Sequence, residues 1–327
     1  MMTPKTTESA TRPVATIPVT LVAGYLGAGK TTWLNRRLRS GVESGTLVLV
    51  NDFGAINVDA ELIDYRGDRL LSLDNGCLCC SLSDALGSQL SRIARWPEPP
   101  TALIIETSGV ALPGRIADMI RVASRFHLDS IVTLIDLDAL PRHRRDDRIA
   151  DLVEAQIVSA NVFSLNRGET LAGNELTSSK AWLSSLNPHA AFEPALSTAP
   201  EPGRGFAAAP SSVSRAPDPM ASPFRSLKTA PASEPGWQRF TRRLPPLTGR
   251  APLEALLAHY ATALARAKGF IQINERHYVF HWSGGRASWT PTAPRPGAGQ
   301  LVGIGFAGAE LEALLKALDN LAVSVDH

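Results

Sequence analysis

Two short stretches of this chain place chemically active residues at close spacing. The first is Gly24-Tyr25-Leu26-Gly27-Ala28-Gly29-Lys30-Thr31-Thr32. Gly24-x-x-x-x-Gly29-Lys30-Thr31 is the spacing of a P-loop, whose glycines let successive backbone N–H groups turn inward around a phosphate. Contacts to a nucleotide are therefore expected from Gly24, Gly27, Ala28, Gly29, Lys30, Thr31 and Thr32. Lys30 would reach the β- and γ-phosphates, and the Thr31 hydroxyl would ligate Mg²⁺. The positive end of the helix that follows favours the same anion. A dinucleotide loop needs G-x-G-x-x-G, which glycines at 24, 27 and 29 do not make.

The second stretch, Cys77-Leu78-Cys79-Cys80, holds all three cysteines of the chain. An odd, clustered set is no disulfide framework, and thiolates select ions such as Zn²⁺, Co²⁺, Ni²⁺ or Cu⁺. A closed structural zinc site wants four ligands, usually as separated pairs. Three thiolates on one loop make an incomplete shell, suited to an ion that must later leave. In an extended segment Cys77 and Cys79 point one way and Cys80 the other, so two can bind together.

Other polar residues stand where apolar runs end. Glu106 closes such a run, the place of a carboxylate that holds Mg²⁺ directly or through water, and the Gly109 amide follows within reach of a phosphate. Asp52 and Asp59 fall in the loop after the second strand, where a γ-phosphate-sensitive switch belongs. The expected catalytic set is Lys30, Thr31, Asp52 and Glu106, of which Thr31, Asp52 and Glu106 would face Mg²⁺. Asn166-Arg167-Gly168-Glu169 occupies the place of a guanine-reading loop. There Glu169 supplies the carboxylate for the base N–H donors, and Arg167 the stem that lies along the base. Guanine is favoured, with adenine left open. His143 is a further ligand candidate, read as a lone exposed histidine beside a solvated arginine cluster at 142–145.

The elements that must position these groups alternate. Strands are expected at 19–23, 46–50, 70–73, 101–105, 131–135 and 162–165, with helices after the P-loop, over 83–96 and over 147–160. This pattern implies an α/β P-loop domain with a mostly parallel sheet covered on both faces, and ligand groups in the loops after the strands' carboxyl ends. From about 195 to 236 the chain turns rich in Pro, Ala and Ser and reads as a flexible linker. Beyond it, a helix from 252 to about 267, three or four strands between 270 and 305 and a helix over 309–321 imply a small α+β domain. The expected division is a disordered 1–16, a P-loop domain over 17–194, the linker 195–236 and a second domain over 237–327.

The 327 residues carry a formal net charge of +2, with 44% hydrophobic and 20% charged residues. So slight a charge gives no electrostatic reason to expect nucleic acid or an anionic membrane as partner. No apolar run approaches the roughly 20 residues of a membrane span, and the polar first residues lack a signal-peptide core. A cytoplasmic protein is the expectation.

With these motifs in order, the sequence resembles the CobW-like metallochaperone GTPases. The likeness is carried by GYLGAGKTT (24–32), VNDFGAINVD (50–59), DNGCLCCS (74–81), IIETSGVALP (104–113), LNP (186–188), ARAKGFIQI (265–273) and LVGIGF (301–306). It departs where Asp52 replaces the usual Glu, where Leu112 replaces the usual Asp, and in the Asn166–Glu169 loop. The resemblance implies slow hydrolysis of GTP, with Mg²⁺ as cofactor and a transition metal, Zn²⁺ or Co²⁺, on the cysteine loop. It also implies transfer of that ion to a client metalloenzyme apoprotein. A nucleotide-responsive metal buffer with little turnover is one alternative. A P-loop ATPase or kinase with redox-active cysteines is another.

Overall fold

A computed structural model describes residues 16–50, 70–72, 81–169, 171–193, 236–294 and 298–323. Asp52, Asp59, Cys77, Cys79 and Cys80 lie outside these residues, as do nearly all of the expected N-terminal tail and linker.

Among the described residues the first sheet has seven strands: β1 (Ile17–Ala23), β2 (Leu47–Val50), β3 (Leu70–Ser72), β4 (Leu103–Glu106), β5 (Phe126–Asp136), β6 (Val162–Asn166) and the short β7 (Ala191–Phe192). Their order is β3-β2-β4-β1-β5-β6-β7, and every pairing is parallel. The P-loop strand β1 is thus central, between β4 and β5. Because parallel strands run in register, their carboxyl ends share one edge: Val22 lies opposite Glu106, and Asp136 opposite Asn166.

β1 is buried nearly throughout because helices cover both faces of the sheet. On one face Val19, Leu21, Leu49 and Ile105 meet Leu86, Leu90 and Ile93 of α2 (Ser81–Ile93) and Ile116 and Ile120 of α3 (Pro113–Val122). On the other, Val22, Val48, Ile104 and Val132 meet Trp33, Leu34 and Leu38 of α1 (Lys30–Arg39). Each buried aliphatic side chain of this kind contributes about 1.5–3 kcal/mol.

The short α4 (Leu140–His143), α5 (Ala150–Val158) and α6 (Gly173–Leu186) complete the layer beside β5 and β6. α5 starts later than its expected 147, since Arg148 folds back to pair with Asp146 and holds a turn there. α3 has Pro113 at its start and an apolar face, whereas α6 buries only Leu183 and so has no stripe to read.

The second sheet is antiparallel, in the order β11-β10-β9-β12-β8. It comprises β8 (Trp237–Arg243), β9 (Leu264–Ile273), β10 (Arg276–Ser283), β11 (Arg286–Thr292) and β12 (Gln300–Phe306). α7 (Ala251–His259) and α8 (Ala309–Val323) cover one face through Leu253, Leu257, Leu311, Leu314 and Leu318. The helix expected to reach 267 stops at His259, and Arg266-Ala267-Lys268 lies in β9 instead. There it pairs with β10 on one side and β12 on the other, and these two ladders outweigh the local helix preference of the alanines. The strand at 237–243 was not expected, because five of its seven residues are polar and the other two are a Trp and a Phe.

The two sheets touch on the P-loop side. Ile304 of β12 shares a core with Tyr25, Leu26 and Leu140, against which Trp237 and Phe306 also pack. Arg148 spans the junction, donating to the Thr262 carbonyl at 2.9 Å while its guanidinium lies 4.0 Å over the Phe306 ring.

Candidate functional site

The loop from Gly24 to Gly29 follows β1 and enters α1 at Lys30. Gly24, Gly27 and Gly29 have φ of 130°, 79° and 96°, values that side-chain-bearing residues rarely adopt. The constraint at Gly29 is also one of space, since a Cβ there would sit 2.4 Å from Asn166 Nδ2. Lys30 is buried and arches back over its own loop, its Nζ donating to the Gly24 carbonyl at 2.9 Å and the Tyr25 carbonyl at 3.3 Å. The ammonium is therefore held against the carbonyls of the loop's first two residues.

The adjacent strand supplies the acid. Glu106 ends β4 at 3% exposure, and the Thr31 hydroxyl donates to its Oε1 at 3.0 Å. Thr107 fastens this end of β4 to β1, both its N–H and its hydroxyl donating to the Val22 carbonyl. A hydroxyl and a carboxylate beside an anion-binding loop form the oxygen donor set that Mg²⁺ takes between protein and phosphates. The residues fit that ion and a polyphosphate.

Gly109 packs against Leu26, so the loop after β4 lies directly on the glycine loop. Gln156 of α5, which the sequence offered no reason to single out, holds that loop in place. Its side-chain amide donates to the carbonyls of Gly109 at 3.1 Å and Ala111 at 3.0 Å.

On the opposite flank, Asn166 ties the end of β6 to the glycine loop, its Nδ2 donating to the Ala28 carbonyl at 3.1 Å. Its Oδ1 accepts the Arg167 N–H. Arg167 takes a positive φ of 58° and turns its guanidinium to an ion pair with Asp136 at the end of β5. Glu169 is exposed. Asp136 belongs with this group, and the signal for it was the same as for Glu106, an acid closing an apolar strand.

His143 is not the exposed histidine that was expected. It is buried, with its ring 4.7 Å from Tyr25 in an edge-on contact. Burial, helped by the positive charge of Arg142 and opposed by Asp146, pushes its pKa down to about 4. Burial likewise raises the Tyr25 phenol above its ordinary range. The neighbouring Arg142, Arg144 and Arg145 are exposed, and Arg144 lies 4.0 Å over the Trp182 ring. A cleft of about 650 Å³ opens here, lined by Asp138, Arg142, Arg145 and Asp146 among others. Among the described residues no three His, Cys, Asp or Glu side chains converge to hold a metal ion. No helix among them is long and apolar enough to cross a membrane.

Asn187 answers for the LNP segment. Buried after α6, it donates to the carbonyls of Ile157, Val158 and Ala160 and so joins α6 to the end of α5.

A glycine loop between a central parallel strand and a helix, with an acid at the end of the next strand, defines a P-loop nucleotide-binding fold. The chain belongs to the CobW/HypB/UreG family: that family's nucleotide-binding domain matches residues 18–194, and the cobalamin synthesis protein cobW C-terminal domain matches residues 239–322. It is similar to the zinc chaperone CobW of Sinorhizobium sp, 28% identical over 188 residues that cover 49% of this chain and 53% of that protein. The zinc chaperone YjiA of Escherichia coli K12 is 38% identical over 128 residues, 37% of this chain and 40% of that one. The zinc-regulated GTPase metalloprotein activator 1 of Schizosaccharomyces pombe is 32% identical over 171 residues, 49% and 41% of the two chains. The chain thus spans about half the length of the curated relatives it matches. The solved Zn(II)-bound YjiA GTPase from E. coli aligns over 94% of this chain and 99% of its own at 22% identity, with a TM-score of 0.40.

Proposed function

We propose that this protein is a GTP-dependent metallochaperone, a slow GTPase that binds a transition metal and passes it to a client metalloenzyme apoprotein in the cytoplasm. The observation that carries the nucleotide half is the Thr31–Glu106 contact at 3.0 Å beside a glycine loop with Lys30 held against its carbonyls. In this reading Gly24, Gly27, Ala28, Gly29, Lys30, Thr31, Thr32 and Gly109 hold the phosphates, and Asn166, Arg167 and Glu169 face the base. Thr31, Asp52 and Glu106 hold Mg²⁺, directly or through water. The chemistry this ion supplies is neutralisation of charge between the β- and γ-phosphates.

The metal half rests on Cys77, Cys79 and Cys80 and is supported by relatives named as zinc chaperones. Zn²⁺ or Co²⁺ is the cargo, within a P-loop domain over 17–194 that a linker joins to the second domain over 237–327. Contacts from the γ-phosphate to the Asp52 loop favour one arrangement of the neighbouring cysteine loop, and hydrolysis releases it. A tenfold change in metal affinity between the two nucleotide states requires about 1.4 kcal/mol of coupling, within reach of one or two charge-assisted contacts.

The test is Zn²⁺ affinity of the full chain with a non-hydrolysable GTP analogue against GDP. At least a severalfold difference is expected, and equal affinities end the gating mechanism. Steady-state phosphate release with and without Zn²⁺ then separates the chaperone from a metal buffer, which releases none.

A further inference from the structure

The β10–β11 hairpin of the second sheet ends on the glycine loop of the first. Ser283 and Arg286 pair across its tip, with Gly284 and Gly285 making the turn between them. A Cβ built on Gly27 would lie 2.1 Å from Ser283 Oγ, so this hydroxyl occupies the space a side chain at 27 would need. The tip is held from both sides. Arg286 forms an ion pair with Asp138, just beyond β5, and Gly284 lies beside the Arg142 guanidinium, 3.4 Å from a Cβ built there. Behind it stands the Arg148 bridge to Thr262.

Ser283 Oγ is shielded from solvent and has no hydrogen-bond partner among the described residues. Such a hydroxyl is costly to leave unsatisfied, and this one rests against a loop built to expose backbone donors to an anion. Lys30 and the start of α1 bring positive charge to the loop, Arg142 lies beside the hairpin tip, and the Asp138 carboxylate there is paired with Arg286. An oxygen of an anionic ligand on that loop is the acceptor the hydroxyl lacks.

We propose that Ser283 is a nucleotide-binding residue supplied by the second domain, its hydroxyl donating to a phosphate oxygen of the nucleotide held by the glycine loop. The inference rests on the nucleotide reading of that loop and adds a donor from outside the P-loop domain. Through it, occupancy of the loop is felt directly by β10 and by the sheet to which β10 belongs.

The experiment measures GDP and non-hydrolysable GTP analogue affinities, with Mg²⁺, for the full wild-type chain and for Ser283→Ala. Thermal unfolding is followed with and without nucleotide. Ser283→Ala is expected to weaken nucleotide binding about tenfold. Its nucleotide-free melting temperature stays level or rises, because an unsatisfied hydroxyl has been removed, whereas a purely structural role for Ser283 lowers it. Affinity equal to or tighter than wild type overturns the proposal, tighter binding showing that the hairpin obstructs the loop. Should Ser283→Ala fail to fold, Arg286→Ala decides. It frees the hairpin tip without touching the glycine loop, and severalfold weaker binding supports the proposal while unchanged binding overturns it. Wild-type protein that binds neither nucleotide sinks the nucleotide reading itself and this inference with it; wild-type binding with unaltered variants sinks this inference alone.

Discussion

The Thr31 hydroxyl donates to Glu106 Oε1 at 3.0 Å, joining the first turn of α1 to the last residue of β4 across 75 positions of sequence. The two elements also share a core, Ile104 of β4 packing with Trp33, Leu34 and Leu38 of α1. Their meeting follows from the parallel register that sets Val22 opposite Glu106.

Glu106→Gln keeps an acceptor for Thr31 but removes the charge. Phosphate release is expected to fall about 10²-fold while KM for GTP changes by less than about threefold, as for a group acting mainly in the transition state. Single-turnover hydrolysis checks it. Wild-type rates in the variant would show that hydrolysis does not need the Glu106 charge.

Lys30→Ala removes the cation from the glycine loop and the ammonium donor from the Gly24 and Tyr25 carbonyls, the latter keeping the Ala28 N–H. Nucleotide affinity should drop by about two orders of magnitude. Zn²⁺ titrations of the variant should then give one affinity whether GDP or the GTP analogue is present. A difference that persists at sub-saturating nucleotide would uncouple the thiols from the phosphate loop.

Gly29→Ala forces a methyl into a positive φ and against Asn166 Nδ2. The strain and the lost Asn166–Ala28 hydrogen bond together should cost about 1–3 kcal/mol in urea unfolding. Gly41, also at positive φ but with open space around it, serves as the comparison for strain alone.

His143 sets an acid limit on stability. Its folded pKa, about 4, lies below the ordinary value of 6.5. The unfolded chain therefore binds the proton more readily, and stability is complete above pH 6.5 and lost as pH falls toward 4. The loss is of order 3 kcal/mol. His143→Phe, which keeps a ring against Tyr25, should flatten this part of the profile. Urea unfolding at pH 7 and pH 4.5 decides, and parallel profiles for both proteins would refute it.

Asn187→Ala should destabilise the chain by about 2–4 kcal/mol, because three carbonyls, those of Ile157 and Ala160 buried, lose a shared donor. Phosphate release per folded molecule is expected to stay at the wild-type rate, since Asn187 touches none of the glycine loop's own contacts.

Much of the first domain could be read in advance because parallel strands buried on both faces are continuous apolar runs, as in Val19–Ala23 and Ile131–Ile135. Glu106 stood out as an acid closing such a run, and Asp136 carried the same signal without being singled out. Gln156 did not, because a glutamine on a helix is ordinary until the loop it holds is known. His143 was placed wrongly, since arginines on either side disguised a position that faces Tyr25. The ARAKG segment was misread because alanine-rich local preference points to a helix, and only two strands from elsewhere in the chain make it β9.

The sequence alone determined the glycine loop, its lysine and threonine, and the clustered thiols, because these chemistries are set by residue type at fixed short spacing. Tertiary structure decided which distant groups stand beside them: Glu106 at Thr31, Asn166 at Ala28, Gln156 at Gly109 and Ser283 at Gly27. Local spacing carries no information about strand register or about how two sheets meet. Those are settled only when buried apolar faces close on one another and bring the ends of their strands together.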